Sequence, residues 1–213
     1  IRDSYYDDYA FRSLTGFDNA GFPAATIDAK GYVTGSVITV LGSSTKLYSA
    51  NYYDFEGRIT KTVQGNLLEG YDTTNTVYTF TGKPNTVTHT HTASGKTTRT
   101  EVYTYTYDHA DRISKVRHSL GGTSITLYDA TYDNFGRLLT KQYHGTSTNK
   151  LTYAYNLRSW LTGISGTCFT QNLYYNTGVG TAKYNGSISS MTWKSGNEST
   201  VRGYKFTYDG LDR

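Results

Sequence analysis

The sequence predicts an all-β protein in which repeated antiparallel β-hairpins stack into a long twisted or spiralling sheet. Three observations predict this fold: the composition, a turn motif that recurs along the chain, and a two-residue alternation beside that motif. Aromatic residues make up 15% of the 213 residues, and Tyr and Gly contribute 22 each. Aromatic residues favour strands and Gly favours turns, so we expect almost no helix.

The turn motif has the form Tyr-Asp-x-x-Gly-Arg and is followed by Ile or Leu. Clear copies begin at Tyr53 and Tyr132, and variants begin at Tyr107, Tyr155 and Tyr208. Weaker copies beginning at Ile27, Tyr78 and Tyr184 complete a set of eight. Their starts span 181 residues in seven steps, a period of about 26. The residues assigned to the repeat turns are Asp28, Gly31, Tyr53, Asp54, Gly57, Arg58, Tyr107, Asp108, Arg112, Tyr132, Asp133, Gly136, Arg137, Tyr155, Asn156, Tyr208 and Asp209.

The spacing of the motif has a physical reason. Asp at the first turn position can accept hydrogen bonds from N–H groups of the same turn. Gly three residues later can take a positive φ, as in a type I turn followed by a bulge. We therefore expect positive φ at Gly57 and Gly136, and we expect Arg58 and Arg137 to contact an Asp or a neighbouring Tyr ring.

The flanks of the motif alternate with a period of two, as strands do. In Val102–Tyr107 the Tyr residues share one face and the Thr residues share the other. Each unit also contains a second turn signal, which predicts one hairpin per repeat. We predict an irregular or partial repeat over 1–26 and about eight repeats over 27–213, the last one truncated. A further motif copy at Phe17–Phe22 falls outside the period.

The repeated motif resembles the YD-repeat, or Rhs-repeat, family of bacterial proteins over about residues 15–213. Tyr155–Leu161 is similar to a Tyr-Asn-x-Arg-Gly-Trp-Leu form of that family, with Ser159 where Gly is usual. The resemblance implies a hairpin ribbon that coils into a shell around a toxic C-terminal polypeptide. It also implies a secreted or cell-surface protein of the polymorphic toxin type.

The resemblance implies that this chain is a non-catalytic structural segment of such a shell. The family's Asp-Pro-x-Gly core motif and a toxin domain are absent from the sequence, so the cleavage and toxin activities are not carried over. The chain begins without Met and stops within a motif. We therefore expect a piece of a longer protein, whose signal sequence lies outside it. The expected partners are the other repeats and the C-terminal region of the parent protein, together with further copies bound through open strand edges.

A binding module is the alternative function. Exposed Tyr and Trp, with Trp160 and Trp193 as the candidates, could stack on sugar rings of a carbohydrate or cell-envelope ligand. Tyr and Trp buried between the hairpins would favour the shell, and a row of exposed rings would favour the adhesin.

Other chemistry has weaker signals. His89 and His91 share a strand face and could reach one metal, but a solvent-facing strand explains them more simply. Cys168 lacks a nucleophile signature. The Asp–Arg pairs recur in several units, whereas an active site is needed once. No enzyme activity, metal or cofactor is therefore expected.

The bulk properties exclude further classes. The net charge is +4, but Lys and Arg are scattered singly, which does not favour nucleic acid. No run of 18 apolar residues occurs, so no helix is expected to span a membrane. The single Cys cannot form an internal disulfide.

Overall fold

The computed structural model describes residues 1–17, 21–25, 27, 29–211 and 213. Over these residues, fifteen strands are hydrogen-bonded in sequence order within one antiparallel sheet. The only helical segments there are two short 3₁₀ turns, Ala10–Ser13 and Ser147–Asn149. The prediction of an all-β protein built from successive antiparallel hairpins is confirmed.

The strands are β1 (Arg2–Asp7), β2 (Ala29–Thr39), β3 (Lys46–Tyr53), β4 (Ile59–Gly65), β5 (Tyr71–Tyr78), β6 (Pro84–His91), β7 (Arg99–Tyr107), β8 (Ile113–Leu120), β9 (Thr123–Tyr132), β10 (Leu138–Tyr143), β11 (Lys150–Tyr155), β12 (Leu161–Gly166), β13 (Phe169–Tyr174), β14 (Ser190–Ser195) and β15 (Arg202–Lys205). They belong to two compact units, Ile1–Thr106 with Arg117–Ser124, and Tyr107–Val116 with Ile125–Arg213.

The first unit has an aromatic core that the segment between β1 and β2 supplies. Phe11, Phe17 and Phe22 pack against the sheet residues Val37 and Val63, and all five are buried. Their rings meet mostly edge to face, a favourable arrangement for aromatic pairs. The two Phe side chains of the motif copy at Phe17–Phe22 therefore lie in the core. Its residues Asp18, Asn19 and Ala20 lie outside the described residues.

Two glycines let this segment lie close to the sheet. A Cβ added at Gly16 would lie 2.1 Å from the Tyr48 ring, and one added at Gly21 would lie 2.2 Å from the Tyr71 ring. The segment is also fixed by the Tyr52 hydroxyl, which donates to the Pro23 carbonyl at 2.8 Å.

The second unit has few buried residues, among them Ala130, Tyr175 and Ser189. The Ser189 hydroxyl fixes the long connection between β13 and β14, because it lies 3.1 Å from the Tyr174 carbonyl and 3.0 Å from that of Thr177. With so little buried side-chain surface, this unit depends on contacts between neighbouring hairpins.

Candidate functional site: a tyrosine ladder beside the turns

The motif turns share one hydrogen-bond pattern. In the first clear copy, Asp54 Oδ1 accepts from the backbone N–H groups of Glu56 and Arg58, both at 2.9 Å. The other carboxylate oxygen accepts from Arg58 Nε at 2.7 Å. The copies at Asp108, Asp133 and Asp209 repeat all three contacts.

The backbone of the turns has the positive φ that the spacing predicts. Gly57 and Gly136 have φ of 75° and 83°, and Gly31 has φ of 86°. Where the motif lacks Gly, Asp111 and Ser159 take positive φ of 63° and 61°. The hairpins of the copies at Tyr53, Tyr78, Tyr132 and Tyr155 also have a register shift at the motif, so a bulge accompanies the turn.

Substitutions of the motif Asp preserve the turn. Asn156 Oδ1 accepts from the N–H groups of Arg158 and Trp160 at 2.9 and 3.0 Å. At the weak copy beginning at Tyr78, Thr79 Oγ1 accepts from the Lys83 N–H at 3.1 Å. One acceptor on a short side chain is therefore what the position needs.

The hydrogen bonds keep the motif carboxylates ionised. The Arg112 side chain, helped by the N–H groups of Arg112 and Ala110, lowers the pKa of Asp108 from its ordinary value of 3.8 to about 2. Desolvation alone would raise the pKa values of Asp54 and Asp133, but the bonds from Arg58 and Arg137 outweigh it and lower them. These groups are acceptors at neutral pH and are poorly suited to proton transfer.

A second pattern links most of the motifs to the neighbouring hairpin. The Tyr hydroxyl donates to a backbone carbonyl of the previous hairpin, and in four of the six cases the acceptor residue is the first of the strand that follows the turn. We call this series the tyrosine ladder. Its members are Tyr53 to Val33 (2.8 Å), Tyr78 to Ile59 (2.8 Å), Tyr132 to Ile113 (3.0 Å), Tyr155 to Leu138 (3.0 Å), Tyr175 to Leu161 (2.7 Å) and Tyr208 to Ile188 (2.8 Å).

The Tyr rings of the ladder are covered by a side chain from the previous hairpin. In most copies this residue is the fourth after the motif Asp, and it is Arg, Tyr or Trp. The pairs are Tyr32 on Tyr53 (4.9 Å), Arg58 on Tyr78 (4.7 Å), Arg112 on Tyr132 (4.2 Å), Arg137 on Tyr155 (4.8 Å), Trp160 on Tyr175 (4.9 Å) and Lys183 on Tyr208 (4.9 Å). Arg58 and Arg137 thus contact both an Asp and a Tyr ring.

The sequence alone did not reveal two ladder positions. Tyr175 takes the role for which the repeat period suggested Tyr184, whose side chain is exposed. The signal is the run Tyr175-Asn-Thr-Gly178, in which Gly178 has φ of 85°. Tyr107, another motif residue, ends β7.

The other missed position is Tyr6-Asp7, at the end of β1. Tyr6 pairs with Val33 as Tyr53 pairs with Ile59, and Asp7 Oδ1 accepts from the Gly31 N–H at 2.6 Å. The hairpin of β1 and β2 is therefore a motif hairpin whose turn is replaced by the connection that carries the aromatic core. Asp28, the sequence-based choice for this turn, lies outside the described residues.

The two Trp residues differ in their surroundings. Trp160 is half-buried between Tyr175 and Arg158, whose guanidinium lies 5.1 Å from the ring. Trp193 stacks on Tyr204 at 5.0 Å, and Tyr204 is exposed. Only the second pair presents an aromatic ring to solvent.

The histidines pair separately. His89 lies 2.9 Å from the Thr74 hydroxyl, and His91 lies 2.5 Å from Asp72. They line an open groove of about 440 Å³. Over the described residues, no three His, Cys, Asp or Glu side chains are placed to hold a metal ion. Cys168 is exposed.

The most exposed large apolar side chains of the motif turns lie at the turn tips. They are Phe55, Phe80, Phe135, Leu157 and Leu211, each at least 73% exposed. The Tyr residues of the ladder are instead covered by their neighbours. In the described part of the chain, no helix is long and apolar enough to cross a membrane.

No protein-family model matches the chain, and no curated protein sequence matches it.

Proposed function

We propose that the chain is a non-catalytic structural segment of a secreted or cell-surface Rhs/YD-repeat protein. In the parent protein it forms part of a β-shell that houses or displays a C-terminal effector region of the toxin type. The observation that carries this proposal is the tyrosine ladder. In each rung a motif Tyr is used to join one hairpin to the next, which supports a wall-forming role.

The turn chemistry supports the same role. The motif carboxylates are ionised and are occupied by N–H groups and by Arg. A general acid or base needs a pKa near the working pH. The Asp–Arg pairs are therefore better suited to holding turns than to catalysis.

A protease-protection experiment on the parent protein tests the proposal. The intact parent, with its own C-terminal region, is digested with trypsin as wild type and as Tyr132→Ala/Tyr155→Ala. We expect the C-terminal region of the wild type to survive and that of the variant to be cut at least tenfold faster. Phe80→Ala, at an exposed turn tip, is the control and should match wild type. Equal, rapid cleavage of the C-terminal region in all three proteins would contradict a housing role.

A carbohydrate- or envelope-binding adhesin is the second candidate, and the Trp193–Tyr204 pair favours it. A stacked pair with one exposed ring can contact the C–H face of a sugar. A glycan array probed with the wild-type chain and with Trp193→Ala tests this function. Binding that is lost in the variant would support the adhesin, whereas absence of any glycan signal would count against it.

A further inference from the structure

Tyr6 occupies a ladder position whose ring is left uncovered. Its backbone has the register of the other motif Tyr residues. Asp7 Oδ1 also accepts a backbone N–H of the facing segment, although the donor is Gly31 at the motif Gly position, whereas Asp54 accepts from the residues two and four positions on. The Tyr6 side chain is nevertheless 55% exposed. Its hydroxyl makes no hydrogen bond to any residue that the structure describes. Each rung of the tyrosine ladder has both a covering side chain and a carbonyl acceptor, so Tyr6 lacks two contacts.

The strand that carries Tyr6 is also an open edge of the sheet. β1 is the first strand in the hydrogen-bonded order, and over the described residues it pairs with β2 alone. All its residues except Tyr5 are exposed. Unpaired backbone groups along such an edge are a template for adding another strand.

An apolar groove lies beside this edge. Its volume is about 310 Å³, and Tyr5, Phe11 and Leu14 contribute its apolar lining. Leu14 is exposed, although Tyr5 and Phe11 are stacked at 5.2 Å within the aromatic core. A side chain entering the groove from an added strand would extend that core.

We propose that the outer edge of β1 binds an extended polypeptide segment with Arg followed by Ile or Leu, as an added antiparallel strand. The incoming Arg covers the Tyr6 ring, and the carbonyl of the Ile or Leu after it accepts a hydrogen bond from the Tyr6 hydroxyl. This continues an interface that the chain already makes between its own hairpins. The inference depends on the ladder geometry and goes beyond the proposed shell, since it names the chemistry of the partner.

The ladder register specifies the other contacts of the added strand. On β4 and β5, Lys61 pairs with Asn75, and three pairs further on Arg58 covers Tyr78. The same register on β1 places Arg opposite Tyr6 and the next residue opposite Tyr5, at the apolar groove. The third residue after Arg then lies opposite Asp3, where Lys is the favourable choice.

The segment Gly57–Gly65 of this chain has that pattern, with Arg58, Ile59 and Lys61, and serves as the probe. A fluorescent peptide of this sequence is titrated with the full 213-residue chain, and its anisotropy is followed. We expect saturable binding that Tyr6→Phe weakens about fivefold, the size of one lost hydrogen bond. An Arg58→Gln peptide should also bind several-fold more weakly. Tyr184→Phe removes the hydroxyl of an exposed Tyr and should bind as wild type.

Hydrogen exchange locates the bound peptide independently of affinity. Saturating peptide should slow exchange of the Arg2–Asp7 amides, and the Tyr6→Phe chain should keep the wild-type circular dichroism spectrum. Absence of saturable binding would overturn the proposal. So would protection confined to β15, or binding that neither Tyr6→Phe nor the Arg58→Gln peptide changes. None of these outcomes depends on protease protection in the parent protein.

Discussion

At the scale of single residues, Asp54, Asp108 and Asp133 each satisfy the backbone of their own turn. One carboxylate oxygen accepts two N–H groups, and the other holds the motif Arg, whose guanidinium then covers a Tyr ring of the next hairpin. A hydrogen bond to a charged group is stronger than one between neutral groups. The Asp therefore fixes the turn and also positions the residue that joins two hairpins.

Acid titration tests the role of Asp108. Its pKa is lowered to about 2 from 3.8, so the unfolded chain binds more protons between these values. The contribution of Asp108 to stability is complete above pH 4 and is lost as the pH falls through about 2. We expect Asp108→Asn to flatten the fall of the urea midpoint between pH 5 and pH 2. Asn should still hold the turn, as Asn156 does, and an unchanged acid slope would contradict this role.

A pair of Gly→Ala variants tests the turn backbone. Gly136 has φ of 83°, where a Cβ costs about 1–2 kcal/mol. Gly65 lies at the end of β4 without a positive φ. A Cβ added there would lie 3.6 Å from the nearest atom, the Tyr48 carbonyl oxygen. We expect urea unfolding to show this loss in the free energy of unfolding for Gly136→Ala and almost no loss for Gly65→Ala. Equal effects would refute the positive-φ requirement.

Removing one hydroxyl tests a rung of the ladder. Tyr155→Phe keeps the ring under Arg137 and loses the bond to the Leu138 carbonyl. One net hydrogen bond contributes about 1 kcal/mol, and that is the expected loss in the free energy of unfolding. Tyr184→Phe is the matched control and should unfold as wild type. A Tyr155→Phe chain as stable as the control would mean that water replaces the bond.

At the scale of elements, the sequence predicts hairpins well because turn residues and alternation are local signals. Tyr-Asp-x-x-Gly-Arg specifies its own turn, so strands on both sides of it follow. The sequence does not reveal the role of Tyr6-Asp7, because its partner Gly31 lies 24 residues away, across the connection that carries the core. It does not reveal the role of Tyr175, because the long connection after that residue breaks the repeat period. The tyrosine ladder could not be predicted from a local pattern, because each Tyr hydroxyl and its acceptor carbonyl belong to different hairpins.

Truncating a Phe of the aromatic segment between β1 and β2 should cost far more stability than truncating a Phe at a turn tip. Phe22 is 1% exposed within the core, whereas Phe80 is fully exposed at a turn tip. Truncating a buried Phe costs about 3–5 kcal/mol, and truncating an exposed one costs less than about 0.5. Urea unfolding of Phe22→Ala and Phe80→Ala measures both. A small loss for Phe22→Ala would show that the segment only rests on the sheet.

At the scale of the whole molecule, β1 and β15 are the first and last strands in the hydrogen-bonded order. Every residue of β15 is exposed, and over the described residues β14 is its one strand partner. Proteins usually protect such edges with charge, bulges or covering segments. β15 carries Lys205 and also Arg202, which pairs with Glu198, so the charge of Lys205 is the main protection that its sequence offers.

That protection predicts how association depends on salt. Edge-to-edge pairing brings together like charges on β15 of two molecules, in a chain whose net charge is already +4. Salt screens this repulsion, since the Debye length falls from about 30 Å at 0.01 M to about 10 Å at 0.1 M. We expect concentration-dependent self-association, measured by sedimentation velocity, that strengthens with added salt. Tyr204→Lys adds a charge to the exposed edge and should weaken it, whereas Phe80→Ala should not. A monomer at high concentration and high salt would show that the edges are already protected.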